Sequence, residues 1–345
     1  MKVATIDCGT TNSRVYILDR KGEIIGKASK KVGVKDTALK GKKRVLKEGL
    51  KETFLVALKN AGMQLDDIAF AICSGMITSE IGLIEIPHLW APVMLEELSR
   101  SMEKVHDIEI FPIDIPVYFI RGIKNTYDSR TANMKHVGYL DFMRGEETQL
   151  AGLAAYGKLE TETTVVILSS HTKFISVGTG QTVLGSITTM SGQLHEAIIE
   201  HTFVGKSVQG EASTESQGYF DPYVIETAYF WVMKSGFIRS LMFPRFLDTL
   251  LQTEWYEREL FVDALIAAED MRSLDSFREL KYPLNTPFII IGKKRRCEIY
   301  RYLLKAKLKT DKNIELLTED SDIEQLSIKG ALHLAEFAGL FKRKV

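Results

Sequence analysis

Near the N-terminus, Asp7-Cys8-Gly9-Thr10-Thr11-Asn12-Ser13-Arg14 puts a carboxylate at a strand end and follows it with a glycine and hydroxyls in a hairpin tip. Glycine lets backbone N–H groups approach a phosphate, hydroxyls donate hydrogen bonds, and a nearby carboxylate holds Mg²⁺ through water. The plainer account is that Gly9 makes the turn and Asp7 caps it. A second group, Arg144-Gly145-Glu146-Glu147, opens a helical stretch. Successive helical residues point about 100° apart, so the two acids are expected to do different work. Acids in a first turn are also favoured by the helix dipole alone. Arg144 either grips a substrate carboxylate as a bidentate fork or pairs with one of the two glutamates. A third group, Ser169-Ser170-His171-Thr172-Lys173, gathers hydroxyls and cations in one turn. Cations there neutralise charge on a transferred phosphoryl group; the alternative for Lys173 is a solvated side chain.

The elements that must position these groups recur. Lys2 to Cys8, Val15 to Leu18 and Glu23 to Ala28 read as an antiparallel meander, followed by a helix from Arg44 to Ala61 and a strand from Ile68 to Cys73. Ile108 to Ile123 alternates β-favouring residues with prolines, and Arg144 to Tyr156 reads as a helix. The opening pattern then returns as strands over Thr163–Leu168, Phe174–Val177 and Gln181–Thr189, again with a polar tip between the first two. Beyond Gly192 the chain is expected to be helical to about Leu280, then to finish as strand Phe288–Ile291, a helix, strand Ile314–Leu317 and a helix over Ile323–Leu340. Two such units predict a duplicated α/β architecture with a cleft between the halves. The expected division is 1–160 and 161–345, the second half carrying a helical insertion.

The residues also carry a family resemblance. Asp7-x-Gly9-Thr10-Thr11-x-x-Arg14 resembles the first phosphate motif of the actin, Hsp70 and sugar-kinase superfamily, and Met143-Arg144-Gly145-Glu146-Glu147-Thr148-Gln149-Leu150 resembles a signature of 2-dehydro-3-deoxygalactonokinases. Ser74 to Ser79, His171-Thr172-Lys173 and Met190 to Leu194 follow in that family's order. Leu168-Ser169-Ser170-His171-Thr172-Lys173-Phe174 stands where the family has P-G-T-H-S-K-W, so Ser169 replaces a glycine, and Gln193 replaces a glutamate. The resemblance implies two ribonuclease-H-like (actin-like) domains and ATP-dependent phosphorylation of 2-dehydro-3-deoxy-D-galactonate at its 6-hydroxyl. It implies Glu147 as general base with Glu146 as the other candidate, and Asp7 as the Mg²⁺-side carboxylate. Gly9, Thr10, Thr11, Asn12 and Ser170 are then phosphate contacts, Gly292 a nucleotide contact, and Arg144, His171 and Lys173 substrate-side groups. The alternatives are a non-catalytic ligand-binding relative and a kinase for another sugar acid.

Composition removes other classes. In 345 residues, 45 Lys plus Arg balance 45 Asp plus Glu, so no global field draws the chain to nucleic acid or membrane. The basic stretch Lys27 to Lys51 lacks the interleaved aromatics of a nucleic-acid site and reads as a charged helix face. Three separated cysteines, Cys8, Cys73 and Cys297, give neither a disulfide framework nor a zinc site and suit a reducing cytoplasm. The first residues reach Asp7 too soon for a signal-peptide apolar region, and no apolar run is long enough for a membrane helix.

Overall fold

The structure is a computed structural model that describes residues 1–35 and 43–341; the middle of the basic stretch, 36–42, and the last residues of the second half, 342–345, lie outside the described residues. Fifteen strands form three sheets among the described residues. In chain order they are β1 (Lys2–Cys8), β2 (Ser13–Leu18), β3 (Ile24–Lys30), β4 (Ile68–Gly75), β5 (Leu89–Trp90), β6 (Val93–Met94), β7 (Glu103–Val105), β8 (Val117–Phe119), β9 (Ile123–Lys124), β10 (Phe142–Met143), β11 (Thr163–Leu168), β12 (Thr172–Gly178), β13 (Thr182–Thr189), β14 (Phe288–Gly292) and β15 (Ile314–Leu317). The long helices are α1 (Arg44–Ala61), α2 (Glu146–Ala155), α3 (Ser191–His201), α4 (Pro222–Ser235), α5 (Trp255–Met271), α6 (Lys294–Leu308) and α7 (Asp320–Phe337).

The first sheet runs β3-β2-β1-β4-β8-β7 and the second β15-β14-β11-β12-β13-β6. In each, three antiparallel strands are followed by two that continue parallel to the first: β1 pairs with β4 and β4 with β8, just as β11 pairs with β14 and β14 with β15. Order and polarity therefore match over five strands, the sixth lying at opposite edges, β7 beside β8 and β6 beside β13, and the protein has the duplicated α/β fold expected from the repeated meander. The central strands β4, β11 and β14 are buried along nearly their whole length, as strands covered on both faces must be.

The three largest of four apolar clusters among the described residues hold this together. One covers the first sheet with α1 through Leu46, Leu50 and Phe54, and another covers the second sheet with α5 and α6 through Leu260, Leu265 and Leu303. The third joins the two halves: Phe70 and Ile72 of the first sheet and Val165 and Ile167 of the second pack with Leu150 and Leu153 of α2 and Leu326 and Leu334 of α7. The C-terminal helix thus returns to the junction rather than staying with the second sheet. Its crossing with α2 is so close that a Cβ on Gly330 would lie 1.8 Å from the Thr148 carbonyl oxygen, and one on Gly152 would lie 2.1 Å from that of Leu326. Gly330→Ala should gain ~1 kcal/mol in helix propensity but lose ~1–3 kcal/mol by forcing the helices apart. The expected outcome is a net loss of stability, read as a lower midpoint in denaturant unfolding.

Element boundaries depart from the sequence reading where backbone chemistry intervenes. The helix expected from Arg144 begins at Glu146, because Gly145 takes φ +114°, outside the helical region. The β-favouring stretch from Ile108 yields only β8 and β9, since Pro112 and Pro116 have no N–H to give a ladder. Among the described residues, no helix is long and apolar enough to cross a membrane.

Candidate active site

Asp7 is the last residue but one of β1, opposite Arg14 of β2 and Ser74 of β4. Its Oδ2 accepts from Arg14 Nη1 at 3.1 Å, and its side chain remains 30% exposed. Burial raises the Asp7 carboxyl above its ordinary value, and the Arg14 charge and hydrogen bond partly offset this. The turn is tied down by its own backbone: Gly9 N–H donates to Asn12 O (2.9 Å), and Lys35 N–H donates to Thr10 O (2.9 Å). Gly75, φ +87°, closes the adjoining end of β4. An added Cβ there would lie 2.6 Å from the Cys8 carbonyl oxygen and 3.4 Å from Asp7 Oδ1. The strand ends and the start of α2 meet at this point, for a Cβ on Gly145 would be 3.5 Å from Gly75 Cα.

The matching turn of the second sheet joins β11 to β12. Ser169 N–H and Oγ both donate to His171 O, and Gln193 N–H donates to Ser170 O at 2.8 Å. Gly192 lets α3 sit on this turn; a Cβ there would be 2.0 Å from the Ser169 carbonyl oxygen. Ser169, in the family's glycine position, does not take a positive φ, so the turn forms without one. Arg296 Nη1 donates to Ser169 O and Nη2 to Thr172 Oγ1, while Arg295 pairs with Glu259 and Asp263. Two of the four cations after Gly292 are therefore structural, whereas Lys293 and Lys294 are exposed.

Between the two turns lies a cavity of about 520 Å³. Asp7, Gly9, Thr10, Arg144, Glu146, Ser170, His171 and Lys173 all line it. Thr11, Asn12, Glu147 and Gly292 do not. Thr11 and Asn12 point to solvent at the tip of the turn, and Gly292 is buried against Leu168. Lys173, expected as a cleft cation or a solvated one, is 5% exposed and donates to Phe142 O (2.7 Å) and Thr188 Oγ1 (2.6 Å). Four further polar residues lining the wall escaped the sequence reading: Asp141, Gln149, Thr188 and Ser327. Asp141 Oδ2 accepts from Ser186 Oγ and Thr188 Oγ1, linking it to Lys173 through Thr188. Asp141 stood two residues before the acidic signature and was within reach of sequence reasoning. Ser327 was not, because it arrives on α7 from the far end of the chain.

The two acids separate as their spacing predicts, and Glu146, the second candidate for the base, is the one that lines the cavity. Glu147 is 1% exposed, and both its carboxylate oxygens accept from Gly145 N–H, at 2.8 and 2.9 Å. It folds back onto the start of its own helix and does not line the cavity, where it was expected as general base. Glu146 faces the cavity, with Oε2 accepting from Arg144 N–H at 3.1 Å. Burial raises the Glu146 carboxyl, and the Lys173 charge works against this. Burial and the neighbouring Glu146 push Glu147 from 4.5 to about 7. An acid with a raised folded-state value stabilises the fold fully below its unfolded value and loses that contribution as pH rises through the folded one. Stability should therefore decline between about pH 4.5 and 7, and Glu147→Gln should flatten the decline when unfolding midpoints are measured across that range.

A sequence model of the family described as 2-keto-3-deoxy-galactonokinase matches residues 7–321. The chain belongs to this family. A curated protein of Rhizobium meliloti (strain 1021), named "Probable 2-dehydro-3-deoxygalactonokinase DgoK1", is 27% identical over 215 residues; the match spans 62% of this chain and 61% of the relative's length. A solved structure described as "a putative 2-dehydro-3-deoxygalactonokinase protein from Sinorhizobium meliloti" superposes with a TM-score of 0.70 at 19% identity, covering 98% of this chain and 99% of that one. The activator of the 2-hydroxyisocaproyl-CoA dehydratase from Clostridium difficile has the same fold more distantly, with a TM-score of 0.51 at 13% identity over 100% and 98% of the two chains. In this galactonokinase-family chain, Arg144, Gly145, Glu146 and Gln149 of the acidic signature and the two polar turns bound a single cavity.

Proposed function

We propose that the protein transfers the γ-phosphoryl group of ATP to the 6-hydroxyl of 2-dehydro-3-deoxy-D-galactonate. One observation carries the reading: in a chain of this kinase family, the hairpin tips of both sheets and the Glu146 carboxylate converge on one cavity. Phosphoryl transfer asks little covalent chemistry of a protein, chiefly positioning and charge neutralisation. The Gly9–Thr10 turn and Ser170 supply donors to the nucleotide phosphates, and His171 and Lys173 face the transferred group. Burial and the Lys173 charge both keep His171 below its ordinary value, so it acts as a neutral hydrogen-bonding group. The acceptor hydroxyl oxygen bonds to the γ-phosphorus as the bond to the β–γ bridging oxygen breaks. ADP departs with that electron pair, and the hydroxyl proton passes to the Glu146 carboxylate.

The wall beside Asp7 suits a hydrated Mg²⁺, because Gln149 Oε1 is buried there without a hydrogen-bond partner among the described residues and shares the cavity lining with Asp7 and Ser327. Asp7 and Gln149 would hold the ion through its waters, and the ion would neutralise charge on the phosphates. ADP release measured with a panel of 2-keto-3-deoxy sugar acids tests the assignment. Turnover is expected with the galactonate derivative and none with neutral deoxy sugars. ATP binding without ADP release for any acid would support a non-catalytic relative, and stronger turnover with a different acid would reassign the substrate.

A further inference from the structure

Beside the three short strands β5, β9 and β10 lies a second cavity of about 430 Å³ next to the first, sharing Met76, Phe142 and Arg144 with it. Trp90 of β5 lies beside Lys124 of β9, and Lys124 lies opposite Phe142 of β10. This pairing brings together His88, just before β5, Lys124, and Arg144, just after β10. Gly122 makes the convergence possible, since a Cβ there would lie 2.6 Å from His88 Cδ2 and 2.7 Å from Arg144 Cγ.

Arg144 feels Glu147 and Glu85 at longer range, but the cations of this cavity are not in ion pairs among the described residues. Lys124 Nζ sits 3.7 Å from the centroid of the Trp90 ring, and Arg144 gives its side-chain N–H groups to Thr78 Oγ1 (2.5 Å), Ile86 O (2.6 Å) and His88 Nδ1 (3.3 Å). Among the described residues neither cation has a carboxylate within ion-pair distance. Burial first, then Arg144, Lys124 and Lys173, push His88 down to about 4, so its ring is neutral. With Nδ1 accepting from Arg144, the proton resides on Nε2, and that buried N–H has no partner among the described residues. A buried donor left unmet costs more than a hydrogen bond returns, which favours a ligand that supplies an acceptor. Glu80 and Glu85 also line the cavity, but both are exposed at its mouth.

We propose that this cavity is the subsite for the acceptor's carboxylate, held by Lys124 and Arg144 with the His88 ring beside them. The inference rests on the kinase reading above and adds orientation to it. With the acid end gripped here, the chain runs past the shared wall of Met76 and Phe142, and the hydroxyl at its other end reaches Glu146. Lys124 is then a specificity residue that no sequence motif marked.

The test compares 2-dehydro-3-deoxy-D-galactonate with its C1 amide on the full-length protein. Lys124→Met keeps length and packing on Trp90 but removes the charge. It should raise KM for the acid about 10–100-fold with kcat nearly unchanged, since a charge-assisted hydrogen bond to a bound anion is lost. Calorimetric Kd should weaken equally for the acid and hardly at all for the amide. Lys124→Arg should restore the preference for acid, which a purely structural lysine would not require. A preference for acid over amide that survives Lys124→Met overturns the subsite. If the wild-type protein releases no ADP with any acid, the kinase reading fails, yet a calorimetric acid preference lost in Lys124→Met would still support the subsite. Absence of any acid binding to the wild type overturns the subsite and leaves the turnover assay to decide the kinase reading.

Discussion

Glu146→Gln should lower kcat about 10²–10⁴-fold while changing KM for the sugar acid much less, the signature of losing a general base and keeping its shape. A base must lie within hydrogen-bond reach of the proton it takes, so geometry ranks the two candidates before basicity does. Glu146 opens onto the cavity beside Arg144 and Lys173, whereas Glu147 is sealed from it with both oxygens on Gly145 N–H. Basicity alone would have favoured Glu147, the acid pushed to about 7. Glu147→Gln keeps one acceptor for Gly145 N–H and should cost far less in kcat than Glu146→Gln. Steady-state kinetics on both variants decides the matter; a larger loss in Glu147→Gln would return the role of base to that residue.

The legible and illegible parts of this site differ in what carried the information. Both hairpin tips were readable because alternating apolar strands stop at Gly, Ser and Thr, and their repetition implied the facing sheets. The pairing of Glu146 and Glu147 at a helix start was also readable, but not which one faces the cleft. That depended on the +114° φ of Gly145, which turns the backbone so that Glu147 closes back on the helix. Ser327 and the crossing of α7 over α2 left no local trace, since they follow from a helix returning across nearly the whole chain. The sheet holding Lys124 was invisible for a simpler reason: two-residue strands are too short to show a period, and only their pairing places His88, Lys124 and Arg144 together.

Asp7→Asn should reduce turnover about a thousandfold or more at saturating Mg²⁺, with the unfolding midpoint nearly unchanged. Of the carboxylates lining the transfer cavity, Asp141 accepts two side-chain hydroxyls and Glu146 accepts the Arg144 backbone N–H. Asp7 commits only Oδ2, to Arg14, and its Oδ1 faces the junction with Gly75, where the two strand ends meet the start of α2. It is therefore the carboxylate best placed to hold a hydrated cation near the phosphate turn. Loss of metal charge on a transferring phosphoryl group removes several kcal/mol of transition-state stabilisation, and each ~1.4 kcal/mol is tenfold in rate. The structural cost is small by comparison. The Arg14–Asp7 pair stays partly in solvent, 49% and 30% exposed, and pairs near the surface contribute about 0–1 kcal/mol. Asparagine also retains an oxygen to accept from Arg14. Activity and stability should thus separate cleanly in this variant, and Mg²⁺-dependent turnover at the wild-type rate would remove Asp7 from the metal side of the reaction.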